Sequence, residues 1–291
     1  MRIKTLGILA VFGAGLMWAV EPVLVKVSYI NSTYLHTSVA RAVFVTITAL
    51  AYALLTSRGS LRIRKKDLAP LVYISLAGTI LADLLYLYAL SRVTVVTAVL
   101  IGHLQPLFIV LIGFFILRED KLGLYDYLGI GCMITAGILV SSKTTINLLH
   151  IRIGTTDDIL VFGATIAWAT AGIVARKYLR PLNAGTITFY RFLIASLALL
   201  MFFGVRGIPL SLHLVQVLIG VVVGVGYILY YEGLKRIKAA QAAAVELASP
   251  FFAAVLGFLV LSEGITQFQC GGMALLFLGV AALSRREKRA S

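Results

Sequence analysis

Apolar stretches of about twenty residues, separated by short polar turns, follow one another along the whole of this 291-residue chain. A bilayer-spanning helix needs about 20 predominantly apolar residues. The pattern predicts ten such helices, over 6–27, 34–57, 68–90, 94–117, 122–141, 157–177, 184–205, 212–234, 239–262 and 266–284. Only the connections 58–67 and 142–156 have any length. The apolar runs are continuous rather than alternating, which excludes a membrane β-barrel. The expected fold class is therefore an all-α membrane protein.

Composition agrees. Hydrophobic residues make up 60% of the chain and charged residues 13%, about half the charged share of a soluble domain. A net charge of +14 could suggest a nucleic-acid partner. The basic residues sit between apolar blocks, however, where they act as topology signals, so the lipid bilayer is the expected partner and nucleic acid is not. The first block follows Arg2 and Lys4 like a signal peptide, but it is long for one and has a counterpart in mid-chain. With the N-terminus in the cytoplasm, 19 of the 26 Lys and Arg residues fall at cytoplasmic positions and five at outer ones. The cytoplasmic clusters include Arg58, Arg62, Arg64, Lys65 and Lys66, then Arg118 and Lys121, then Lys235, Arg236 and Lys238. This bias predicts a multi-pass cell-membrane protein with both termini cytoplasmic.

The chain also repeats itself. Gly13-Ala14-Gly15-Leu16-Met17-Trp18-Ala19 matches Gly163-Ala164-Thr165-Ile166-Ala167-Trp168-Ala169, and at the same offset Lys26 falls on Arg176 and Arg41 on Arg191. At a slightly shorter offset Tyr86 falls on Tyr230, Arg92 on Arg236, Pro106 on Pro250 and Glu119 on Glu263. Gly129 and Gly137 correspond to Gly271 and Gly279. The division expected is a five-helix repeat over 1–141, a linker over 142–156 and a second repeat over 157–291. Five is odd, so the second copy enters the membrane from the opposite face, and inverted repeats around a central cavity are a recurrent transporter architecture.

An Arg early in the second helix of each half (Arg41, Arg191), a helix running from a mid-span Pro to Glu (Pro106 to Glu119, Pro250 to Glu263), and a Gly-rich closing helix resemble the drug/metabolite transporter superfamily, EamA type. The resemblance covers nearly the whole chain. It implies a permease that moves a small metabolite, often an amino acid or related compound and often outward, through a cavity lined by helices one, three and four of each half.

Ionisable groups inside apolar spans are costly and face a cavity or a partner. Those well inside are Glu21, Arg41, Asp83, His103, Arg191 and Glu246. Features shared by both halves suit the scaffold, which makes Arg41, Arg191, Pro106 and Pro250 structural or gating residues. Features in one half suit a substrate without two-fold symmetry. In the repeat, Glu21 falls on Ala171 of the other half, Asp83 on Tyr227, His103 on Leu247, Gln105 on Ser249 and Glu246 on Gly102. With Trp18, Trp168, Tyr86 and Tyr231 these form the expected substrate cavity. Buried polar pairs that only fix helix packing are the alternative. Gly220 and Gly224 form a GxxxG, read as an internal close contact.

No zinc-protease, nucleophile-elbow or phosphate-loop motif occurs, Cys132 and Cys270 lack metal spacing, and no cofactor is expected. A membrane enzyme and a passive channel are the rival readings. A secondary transporter is preferred, with Glu21 or Asp83 as a proton-coupling group, a binder of a substrate ammonium, or a fixed partner of Arg41.

Overall fold

The computed structural model describes residues 2–56, 61–115, 123–150, 154–237, 242 and 245–289. Glu119 and the basic residues Arg58, Arg118, Lys121, Arg152 and Lys238 lie outside the described residues. Every regular element among the described residues is helical. They are α1 (Arg2–Ser28), α2 (Tyr34–Thr56), α3 (Lys65–Leu90), α4 (Val95–Phe115) and α5 (Leu124–Ser142), then α6 (Thr156–Leu179), α7 (Ala184–Arg206), α8 (Leu214–Leu234), α9 (Ala248–Leu261) and α10 (Gln267–Arg289). A single turn, Thr145–Leu149, lies in the connection between α5 and α6.

The helices α1 to α8 are long and apolar enough to cross a membrane. The last two are shorter: α9 begins at Ala248, after 238–241, 243 and 244, which lie outside the described residues, and the apolar part of α10 is Gln267–Leu283. Large apolar side chains such as Leu55, Met201, Val205, Phe258 and Leu259 are exposed on the helix surfaces, as a lipid-facing belt requires.

Helix starts share one device. In α3, α5, α6, α8 and α10 the third residue turns its side chain back onto the backbone N–H that precedes the helix. The pairs are Arg64 N to Asp67 (3.0 Å), Gly123 N to Asp126 (2.8 Å), Thr155 N to Asp158 (2.7 Å), His213 N to Gln216 (3.0 Å) and Thr266 N to Gln269 (2.9 Å). Open helix ends are expensive near a bilayer, and this back-bond satisfies one of the four orphan donors. All five acceptor residues are buried.

Two of the prolines, Pro106 and Pro250, sit at helix breaks. Pro106 cannot donate to the carbonyl four residues earlier, and α4 is interrupted at His103–Leu104, where Leu104 N bonds back to Ile101 O at 3.0 Å. Pro250 is the third residue of α9, just after a turn at Leu247. A third irregularity went unforeseen. Within α3, Leu76–Leu81 forms a π-helical turn, in which Ala82 N reaches Ala77 O rather than the Gly78 carbonyl.

The two halves interlock. Helix α1 lies against α8 and α9, and α6 lies against α3 and α4; α2 meets α7 and α8, and α7 meets α3; α5 pairs with α10 and α4 with α9. Each contact recurs with the halves exchanged. The GxxxG of α8 works inside the molecule: a Cβ at Gly220 would stand 2.3 Å from Phe44 Cβ, and one at Gly224 2.8 Å from Thr48 Cβ, both on α2. Only glycine permits that approach. The core, with Leu87, Leu100, Met133, Phe192, Ile219 and Leu276, draws on both halves.

Candidate functional site

Arg41, on the buried face of α2, meets two carboxylates. Its Nε donates to Glu21 Oε1 of α1 at 2.7 Å and its Nη1 donates to Asp83 Oδ2 of α3. All three residues are buried. A buried pair of this kind stabilises little in total, because desolvation offsets most of the attraction. Removing one partner costs about 3–5 kcal/mol, because a charge is left alone. Here one guanidinium holds two carboxyl groups.

The second half reaches into this cluster. Trp168 of α6 donates its Nε1–H to Asp83 Oδ1 (2.8 Å) and to the Gly78 carbonyl (3.0 Å). Its indole packs on Tyr86 with ring centroids 5.1 Å apart. Arg191 of α7 donates to the same Gly78 carbonyl (2.8 Å), to Thr79 Oγ1 (2.7 Å) and to the Tyr227 hydroxyl (3.2 Å). The π-helical turn explains why those acceptors are on offer, since the Gly78 carbonyl has lost Ala82 N from the helix ladder. A Cβ at residue 78 would fall 2.9 Å from Arg191 Nη2 and 2.8 Å from Ala171 Cβ. Phe192 lies between the two guanidinium groups, 5.7 Å from Arg41 Cζ and 5.4 Å from Arg191 Cζ.

A second group of polar residues lies at the helix breaks. His103 closes the first segment of α4, and its Nδ1 bonds the Val99 carbonyl at 2.8 Å. Gln105 opens the next segment, with its amide nitrogen 3.4 Å from where a Cβ would stand at Gly172 of α6. Glu246 precedes the Leu247 turn. Its Oε1 is buried without a hydrogen-bond partner, and so is Ser249 Oγ one turn later. Trp18 packs on Tyr230 (5.1 Å) and Tyr227 (5.9 Å) of α8, and Tyr227 stacks on Tyr231.

At the opposite end of α1, Lys26 Nζ bonds Glu263 Oε1 at 2.7 Å, while Glu263 Oε2 accepts from Val95 N, the first residue of α4, at 2.7 Å. Ser262, with φ 56°, ends α9 in the left-handed conformation and turns Glu263 toward both partners.

The structure thus brings Glu21, Arg41, Asp83, Trp168, Tyr86 and Arg191 into one buried cluster. Trp18 and Tyr231 join it through Tyr227, and His103, Gln105 and Glu246 stand at the helix breaks. Gly78 and Thr79 escaped the sequence reading because nothing in the residue pattern marks a π-turn. Tyr227 was visible there only as the residue on which Asp83 falls in the repeat.

The EamA-like transporter family model matches residues 5–142 and 155–285. An uncharacterized transporter of Methanothermobacter thermautotrophicus is 28% identical over 227 residues, 76% of this chain and 66% of that protein. The uncharacterized transporter YyaM of Bacillus subtilis is 24% identical over 76% of this chain and 74% of that protein. Against the first of these the match spans just under two thirds of the relative's length. A crystal structure 19% identical in sequence superposes with a TM-score of 0.64, covering 97% of this chain and 98% of the other, a likeness of fold.

Proposed function

Because this chain belongs to the EamA-like transporter family, we propose that it is a secondary transporter that carries a small metabolite across the cell membrane by alternating access, in the direction of export. Ten spans form two inverted five-helix repeats, 1–141 and 157–291, with both termini in the cytoplasm and the linker 142–156 between them. The exchange-symmetric helix contacts support this arrangement, because two equivalent halves supply two equivalent open states. Glu21, Asp83, Trp18, Tyr86, His103, Gln105, Trp168, Tyr231 and Glu246 border the substrate path. Arg41, Arg191, Pro106 and Pro250 are its gating and structural elements.

One observation carries the reading. The Arg41–Asp83–Trp168 connection ties the charged cluster of the first half to α6 of the second. Relative movement of the halves must break it, and breaking it frees an acid inside the membrane. That acid can then take a proton or a substrate ammonium, which links movement to load.

Reconstitution into liposomes tests this against a metabolite panel. Saturable counterflow of at least one compound is the expected result. Ohmic current without saturation would identify a channel, and turnover of a lipid without either would identify an enzyme.

A further inference from the structure

The charged groups of the membrane interior are unevenly served. Glu21 and Asp83 share Arg41, and Arg191 has three acceptors. Glu246 stands apart: its Oε1 is shut away from solvent and has no hydrogen-bond partner, and Ser249 Oγ, on the other side of the Leu247 turn, is in the same condition. A carboxylate oxygen buried in this manner is costly unless something comes to pair with it.

The surroundings say what that something is. Across from Glu246, α1 presents Gly15, where a Cβ would stand 3.8 Å from Glu246 Cα and from Ser249 Cβ. The absent side chain lets α1 pass close to the backbone of Glu246 and to the side chain of Ser249. One turn along α1 is Trp18, whose indole packs on Tyr230 at 5.1 Å. From α4, the His103 ring lies by the Glu246 backbone, with its Nδ1 committed to Val99. An unpaired carboxylate with aromatic faces and a hydroxyl acceptor matches a protonated amine, which brings charge, donors and a preference for ring faces.

We infer that Glu246 and Ser249, with the rings of Trp18 and Tyr230, form a binding site for a small organic ammonium ion. The inference rests on the transporter reading and narrows its substrate to amines that carry no carboxylate, since such a group would have to be buried beside the Glu246 carboxyl. The ammonium donates to Glu246 Oε1 and to Ser249 Oγ, and its organic body lies against the two rings.

Direct binding to the full chain in detergent, followed by calorimetry and by thermal shift, tests it without transport. The probes are phenethylammonium, the neutral 2-phenylethanol and zwitterionic phenylalanine. Phenethylammonium binds at least tenfold more tightly than either of the others, and Glu246→Gln reduces that preference to twofold or less. Glu246→Gln keeps the shape and removes the buried carboxyl, and the unliganded variant melts no lower than the parent. No preference for phenethylammonium in the parent protein, or a preference that survives Glu246→Gln, overturns the site. So does a variant that melts lower than the parent. Counterflow of other compounds with no amine binding overturns this inference and leaves the transporter reading standing. Amine binding without counterflow of any compound does the reverse.

Discussion

Arg41 and Arg191 occupy corresponding places in the two halves, yet they are stabilised by opposite means. Arg41 sits between two carboxylates, Glu21 and Asp83. Arg191 is held by a carbonyl, a hydroxyl and a phenol. The replacements are positional: Asp83 corresponds to Tyr227, and Glu21 to Ala171. Where Ala171 supplies no acid, the π-turn of α3 supplies Gly78 O from the other half instead. The first cluster sets two carboxyl groups against one guanidinium and the second sets only neutral acceptors against the other, and both guanidinium groups flank Phe192. A symmetric scaffold therefore holds an asymmetric charge distribution, which is what an asymmetric substrate needs.

Loss of either arginine separates the two economies. Arg41→Leu strands two buried acids and is expected to cost about 3–5 kcal/mol, seen as a large fall in melting temperature and loss of counterflow. Arg191→Leu strands only neutral acceptors, at about 1–3 kcal/mol; a loss equal to that of Arg41→Leu would erase the distinction between the clusters. Asp83→Asn keeps the shape and an acceptor for Trp168 while removing one acid. Its expected effect is about 1–2 kcal/mol on stability, with counterflow retained and accumulation against a gradient abolished. Accumulation at the parent rate, with the same response to a pH gradient, would end the coupling role of this residue. Tyr227→Phe removes the longest of the Arg191 contacts and is expected to cost about 0.5–1.5 kcal/mol, measured by the same melts, with counterflow slowed rather than lost.

The helices were legible in the sequence because a bilayer leaves so little choice. Twenty apolar residues in a row declare a span whatever the detail, and eight of the expected spans appear within a few residues of their predicted bounds. Much of the cluster was legible for the same reason. A charge within an apolar run needs a partner, and Arg41 was expected to need one. A fixed partnership with Glu21 or Asp83 was one of the roles weighed for those acids, and the structure brings both to Arg41 from 20 and 42 residues away along the chain. The π-turn was hidden because its residues, Leu76 to Leu81, read as one more apolar stretch of the span. Asp67, Asp126, Asp158, Gln216 and Gln269 were also passed over as helix-start groups. Each follows a polar or glycine residue by three positions, so a search for capping pairs at the head of every apolar run would have found them.

The widened turn in α3 has a history written into it. A π-turn fits one more residue into a helix than the regular repeat allows, so both flanks keep the faces they would have in a helix one residue shorter. Leu71 and Ile74 still point to the core, and Asp83 still points to Arg41. What the surplus residue adds is the carbonyl at Gly78, turned out of the ladder to meet Arg191 and Trp168. A single codon gained or lost between Leu76 and Leu81 could thus create or erase an acceptor for the second arginine while leaving the rest of the helix in frame, a small evolutionary step by which two once-equal halves can come to differ.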